Sequence, residues 1–150
     1  MTVPIDEMLL GGLLVVPLSI VQQHVLAAYA AAGFSELRPA YLPVFLYLSE
    51  SGDRVVDLAE RAGMTKQAMG YLVASLEEYG YVERIPDPTD GRAQLVCRTA
   101  KGRVAQAVVQ QANVGVQAQW SEHLGTQDME HLLSLLRRLT TVVLEKRGGS

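Results

Sequence analysis

Lys66, Gln67, Gly70 and Tyr71 stand within six positions of one another, and Arg92 follows in "DPTDGR". At helical spacing the segment from Thr65 to Ala74 sorts into two faces. Ala68, Met69, Leu72, Leu76 and Tyr79 form an apolar one, and Gln67, Gly70, Tyr71 and Ala74 form the opposite one. The second face suits the floor of a DNA groove. Gly70 and Ala74 allow close backbone approach. Gln67 can pair with a base edge, adenine best. Tyr71 reaches a phosphate or a thymine methyl. Thr65 and Lys66 lie at the helix start, where free N–H groups and the helix dipole attract phosphate. Arg92, expected at the tip of a hairpin, can enter a neighbouring minor groove, where the potential is most negative.

These residues need elements to position them. Leu58, Ala59 and Ala62 mark one side of a short helix that Gly63 ends, and Thr65 is the N-cap of the next. Gly80 closes that second helix. "YVERIP" and "AQLVCRT" read as two strands, with Val82, Ile85, Leu95 and Cys97 as apolar markers, joined by the turn-rich "DPTDGR". Two helices at a tight turn followed by a β-hairpin make a winged helix-turn-helix. Upstream, Leu37 to Ser49 reads as a helix with Pro39 in its first turn, Pro43 near its start, and Leu42, Phe45, Leu46 and Leu48 as its apolar residues. The fold expected is mainly α with a small β-hairpin wing.

The outer regions differ in character. Residues 7 to 32 are apolar on nearly every side and stop at Gly33. Such a helix must be covered all round, and a second chain is the economical cover. Its "MLLGGLLVVPLSIV" run is shorter than a bilayer span and interrupted by Gly11, Gly12 and Pro17. Asp6 and Glu7 stand where a leader peptide would be positive. A buried interface helix, and no membrane, is the expectation. Thr99 caps a helix running to about His123. Thr126 to Arg147 forms the last, with Met129, Leu132, Leu133, Leu136, Leu139 and Val143 as its stripe. The expected division is a helical dimerisation region, 1–36 with 104–150, around a DNA-binding region, 37–103.

The chain of 150 residues is 49% hydrophobic and carries a formal charge of −3, which weighs slightly against a nucleic-acid partner. The charge is uneven. Arg54 to Arg103 holds eight Lys/Arg against seven Asp/Glu, and the remainder five against nine. A single cysteine, Cys97, excludes an intrachain disulfide and fits a reducing cytoplasm. Alternating with Leu95, it reads as a buried, inert thiol. His24, His123 and His131 do not have the spacing of a helical metal pair, so no metal is expected. No nucleophile elbow, phosphate loop or dinucleotide fingerprint occurs. Neither an enzyme nor a cofactor is indicated.

The stretch "DLAERAGMTKQAMGYLVASLEEYGYVERIPDPTDGRAQLVCRTAKG" resembles the DNA-binding core of the multiple-antibiotic-resistance regulator (MarR) family, and so does "LRPAYLPVFLYLSESG" before it. The resemblance covers Leu37 to Gly102. It implies a homodimer built from the outer helices, acting as a transcriptional regulator, commonly a repressor, on pseudo-palindromic double-stranded DNA. Release by a small aromatic or phenolic effector is common in the family. The recurring Asp and Arg of the family's wing correspond to Asp90 and Arg92, with Gly91 where a basic residue is usual. A ligand pocket is implied where helices one, two and five meet, and His24, Arg38, Tyr41 and Phe45 are the residues expected to supply a cation, a hydroxyl and aromatic walls. The competing reading is a winged-helix protein-interaction module without DNA binding, supported by the −3 charge and Gly91.

Overall fold

The computed structural model describes residues 4–149. The first three residues of the expected 1–36 segment, and the last of 104–150, lie outside that range. Helix α1, Leu10–Ala31, is followed by a 3-10 turn Pro39–Tyr41 and the short α2, Leu42–Tyr47. Helices α3, Val55–Ala62, and α4, Lys66–Glu78, form the helix pair. The hairpin is β1, Val82–Asp87, and β2, Asp90–Arg98. Helices α5, Ala100–Leu124, and α6, Thr126–Gly148, complete the chain.

The helix-turn-helix forms as its punctuation requires. Gly63 adopts φ 65° and ψ 32° at the end of α3, a left-handed conformation open to glycine at little cost. Thr65 Oγ1 accepts from Ala68 N at 3.1 Å and caps α4. Thr99 caps α5 in the same way, through Gly102 N.

Three sequence expectations are corrected in detail. Leu37 to Ser49 is not one helix. Pro43 has no N–H to donate back to Pro39, so a 3-10 turn ends there and α2 restarts at Leu42. Its buried side is Val44 and Phe45 with Tyr41 and Leu48, while Leu46 faces solvent. On α4 the buried residues are Met69, Val73 and Leu76; Ala68 and Tyr79 are exposed. On the hairpin, Val82 pairs with Arg98 and Arg84 with Val96, while Ile85 pairs with Leu95 and Glu83 with Cys97. Val82 and Ile85 are three apart, so a period of two puts them on opposite faces. Val96 and Arg98 are buried, and Cys97 is half-buried rather than buried. Burial raises the Cys97 thiol pKa, and Glu83 raises it further, which keeps it a thiol.

The core joins α1, α2, α4, the hairpin and the start of α5. An aromatic cluster of Tyr29, Phe34, Phe45 and Tyr81 sits in it with edge-on contacts of 5.7–6.2 Å. Arg98 is the unexpected core member. Its Nη2 donates to the carbonyls of Phe45 and Leu48 and its Nη1 to Glu50, so a buried guanidinium satisfies the open end of α2. Arg147 of α6 donates to the Arg61 carbonyl at 2.9 Å and closes the end of α3.

Candidate nucleic-acid interface

Helix α4 turns Gln67, Tyr71 and Ala74 to solvent, with Tyr71 74% exposed. Gly70 stands beside this face. It is half-buried, and a Cβ there would meet Val55 Cγ1 at 4.0 Å, so it serves the approach of α4 to α3. Lys66, one turn before Gly70, lies at the same edge of this face, in the first turn.

The wing stands next to that first turn. Only Pro88 and Thr89 lie between the strands, so Asp90, Gly91 and Arg92 are part of β2 rather than of an open loop. Asp87 builds the turn. Its Oδ1 accepts from Thr89 N and Oγ1 at 2.8 and 2.7 Å. Its Oδ2 lies 2.6 Å from Arg54 Nη2. The Thr89 hydrogen bonds, with Arg54 beyond them, bring the Asp87 pKa down to about 2. Asp90 Oδ1 accepts from Arg92 N at 3.1 Å, and its other oxygen lies 3.7 Å from Arg54. The carboxylate holds the Arg92 backbone.

Between the wing, the start of α3 and the start of α4 opens a cleft of 570 Å³ with Arg54, Lys66, Arg84 and Arg92 on its walls. Arg54 is paired with Asp87 and Asp90, and Arg84 Nε lies 3.6 Å from Glu77, so Lys66 and Arg92 supply the positive charge not matched by a carboxylate among the described residues and make the cleft a local anion-binding surface. Lys66 and Arg92, 26 positions apart in sequence, meet here. Arg54 and Arg84 were not anticipated. The signal for Arg84 is its place in β1: with Arg92 across the hairpin, period-two counting puts both within one wing. Arg54 carries no comparable signal, since its position depends on the Asp87 pair.

A second anchor fixes the unit from behind. Asp53 is buried and bridges β2 through Val96. Burial raises its pKa, but hydrogen bonds from Arg61 and Ser49 outweigh that and leave it below the ordinary carboxylate value. Arg61 also donates to the Tyr47 carbonyl, so one guanidinium links α3, α2 and the strand.

The expected effector residues do not converge. A separate apolar cleft of 330 Å³ lies between α1, α2 and α5, and Phe45 alone of the four expected residues lines it. Tyr41 is buried and packs edge-on against Tyr79 at 6.4 Å. Arg38 is exposed ahead of the 3-10 turn. His24 points from another side of α1, its Nδ1 2.9 Å from the Ile20 carbonyl, into a dip shared with Val116 and Gln119. The break at Pro43 shifts the faces of the second helix, and His24 lies 200° around α1 from Gln22 at 100° per residue. Gln22, Gln106 and Asn113 are the polar residues of the cleft. Gln106, Val109 and Asn113 share an i, i+3, i+7 spacing that places them on one face of α5.

Comparison with known proteins places this geometry. The family model described as MarR family matches residues 35–93. The HTH-type transcriptional repressor Rv2887 of Mycobacterium tuberculosis is 31% identical over 117 residues, covering 75% of this chain and 83% of that protein. The repressor CouR of Rhodococcus jostii RHA1, solved bound to a 23-mer DNA duplex, superposes with a TM-score of 0.70 at 25% identity, over 93% of this chain and 99% of that one. Rv2887 solved in complex with salicylic acid gives a TM-score of 0.62 at 29% identity, over 89% and 98% of the two chains.

Proposed function

The chain belongs to the MarR family of transcriptional regulators, and on that premise we propose that it is a cytoplasmic homodimeric repressor that grips pseudo-palindromic DNA with α4 and the wing. The observation that carries this reading is the four-cation cleft beside the exposed face of α4. In the proposed complex α4 enters the major groove. Gln67 and Tyr71 face base edges, and Ala74 with Gly70 keeps the backbone close. Lys66 and the α4 N-terminus hold a phosphate. Arg92 reaches the adjacent minor groove, and Arg54 and Arg84 line the path between. Asp90 positions Arg92 and does not itself touch DNA.

The proposed division of labour is DNA binding by residues 37–103 and dimerisation by 1–36 with 104–150. Along α1, Leu10, Leu13, Leu14, Val16 and Leu18 are each more than two-fifths exposed. Helix α1 has the length and mean hydropathy, 1.6, of a membrane-crossing helix. Its surface is accounted for here by a second copy, helped by the α6 stripe, of which Leu136, Leu139 and Val143 are exposed. Two-fold symmetry then sets the α4 helices one DNA turn apart, roughly 34 Å. No catalytic step is proposed. The salicylic acid complex of Rv2887 supports an aromatic effector whose binding between α1, α2 and α5 changes the separation of the α4 helices.

A shift assay on the protein's own upstream region tests the reading. A discrete complex is expected, and inserting half a helical turn, about 5 bp, between half-sites should abolish it. A complex indifferent to that insertion would overturn symmetric docking.

A further inference from the structure

Helix α6 starts where α5 ends and runs back along it, and at about 1.5 Å per residue its 23 residues span roughly 35 Å. Its far end does not stop in solvent. Leu144, Glu145 and Arg147 meet Asp57, Glu60 and Arg61 of α3 around an open dip of 500 Å³.

The contact falls on the turn of the helix pair. At the end of α3 the carbonyls of Ala59 and Glu60 accept from Met64 N and Gly63 N at 2.9 and 3.1 Å. The Arg61 carbonyl is one of the groups that a helix end leaves over, and Arg147 Nη1 donates to it at 2.9 Å. The guanidinium lies close over the turn, where a Cβ on Gly63 would stand 3.1 Å from Arg147 Cζ. The helix dipole favours a cation at this end, and Asp57 and Glu60 around the same dip add to the attraction. Two residues beyond Gly63, Thr65 caps α4.

Arg61 also ties the DNA-binding unit together. Its side chain donates to the Tyr47 carbonyl and to Asp53, and Asp53 bridges to Val96 of β2. Helix α6 therefore ends on the backbone of the residue whose side chain joins α2, α3 and the hairpin.

We propose that Arg147 is a positioning residue for DNA recognition: it fixes the α3–α4 turn to the end of α6, so that the separation set by the paired outer helices reaches α4 without slack. The inference rests on the reading of α4 as the groove-entering helix and of α6 as part of the dimer. Arg147 acts through the Arg61 carbonyl and the turn, and touches no phosphate.

The test compares the unaltered full-length protein with Arg147→Ala and Arg147→Lys by fluorescence anisotropy at several salt concentrations. The probes are the upstream operator fragment and two versions of it, with one base pair added or removed between half-sites. Arg147→Ala should bind the native spacing roughly fivefold more weakly while losing little on the altered spacings, so its preference for the native spacing narrows. Its salt slope should equal that of the unaltered protein, because no phosphate contact is lost. Arg147→Lys keeps a cationic donor and should recover most of the spacing preference. A slope reduced by about one in Arg147→Ala would make Arg147 a phosphate contact and overturn the positioning role. An unchanged spacing preference in Arg147→Ala, whether or not its Tm falls, would leave Arg147 as a brace of α6 and overturn the proposal with DNA binding still in place. No complex of the unaltered protein with any of the three fragments would overturn the DNA-binding reading itself, and the proposal with it.

Discussion

Lys66 and Arg92 approach one cleft from a helix start and a strand, and each acts there as a fixed positive charge. If Arg92 neutralises one phosphate in the complex, Arg92→Ala should weaken binding to all sequences alike and reduce the slope of log affinity against log salt by about one. Fluorescence anisotropy at several salt concentrations reads this directly, and an unchanged slope would remove Arg92 from the interface. Gln67→Ala should instead relax base preference with the slope intact. Asp87 makes a prediction about stability. Its pKa is depressed in the folded protein to about 2, against about 3.9 for a free Asp. A depressed carboxylate stabilises the fold above its unfolded value and loses that contribution as pH falls through the folded one. The wing's support from Asp87 is therefore complete at neutral pH and disappears between about pH 4 and pH 2. Asp87→Asn should melt lower at pH 7 and show a flatter fall in Tm across that acid window. A parallel fall in both proteins would assign the acid sensitivity elsewhere.

Glycine, proline and the caps decide the elements. The helix-turn-helix and the two long C-terminal helices were legible because Gly63, Thr65, Gly80 and Thr99 are local signals that act through their own backbone. The second helix was misread because a hydrophobic count from Leu37 to Ser49 ignores the missing N–H of Pro43. The face of α4 was misread by about one position, since Val73 continues the Met69–Leu76 stripe better than Ala68 does. Strand parity was not readable from Val82 and Ile85, because their faces depend on the pairing with Arg98 and Leu95. Arg98 defeats any rule that sends charge outward, and the open carbonyls of α2 together with the Glu50 carboxylate explain its burial. The α4–α5 junction offers the sharpest test at this scale. Gly102 sits in the first turn of α5, where a Cβ would stand 2.0 Å from the Tyr81 carbonyl oxygen. Gly102→Ala should cost roughly 1–3 kcal/mol, seen as a lower urea midpoint at constant slope. An unchanged midpoint would mean that the two backbones separate freely.

At the scale of the whole molecule, charge and exposed apolar surface divide the labour. The −3 total conceals a basic cleft on one region and an acidic excess on the other, which is why net charge alone misleads about a DNA partner. The outer helices expose more apolar surface than a lone soluble chain ordinarily leaves uncovered. In the proposed dimer, symmetric pairing covers it and fixes the distance between the two α4 helices, so that dimerisation and DNA recognition become one geometric property. The candidate cations Lys66 and Arg92 were legible as residue types near helix and strand ends. The cleft that joins them was not, because it depends on the ion pair between Arg54 and Asp87. The effector residues were transferred from a resemblance, and of the four only Phe45 lines the observed cleft. The central claim is that two copies hold their α4 helices across consecutive grooves of one duplex. Light scattering of the protein mixed with its upstream operator fragment, at micromolar concentration and low salt, measures it most directly. The account predicts two chains per duplex and a complex that dissociates as salt rises. One chain per duplex, or a monomer that leaves the duplex free at every salt concentration, would contradict it.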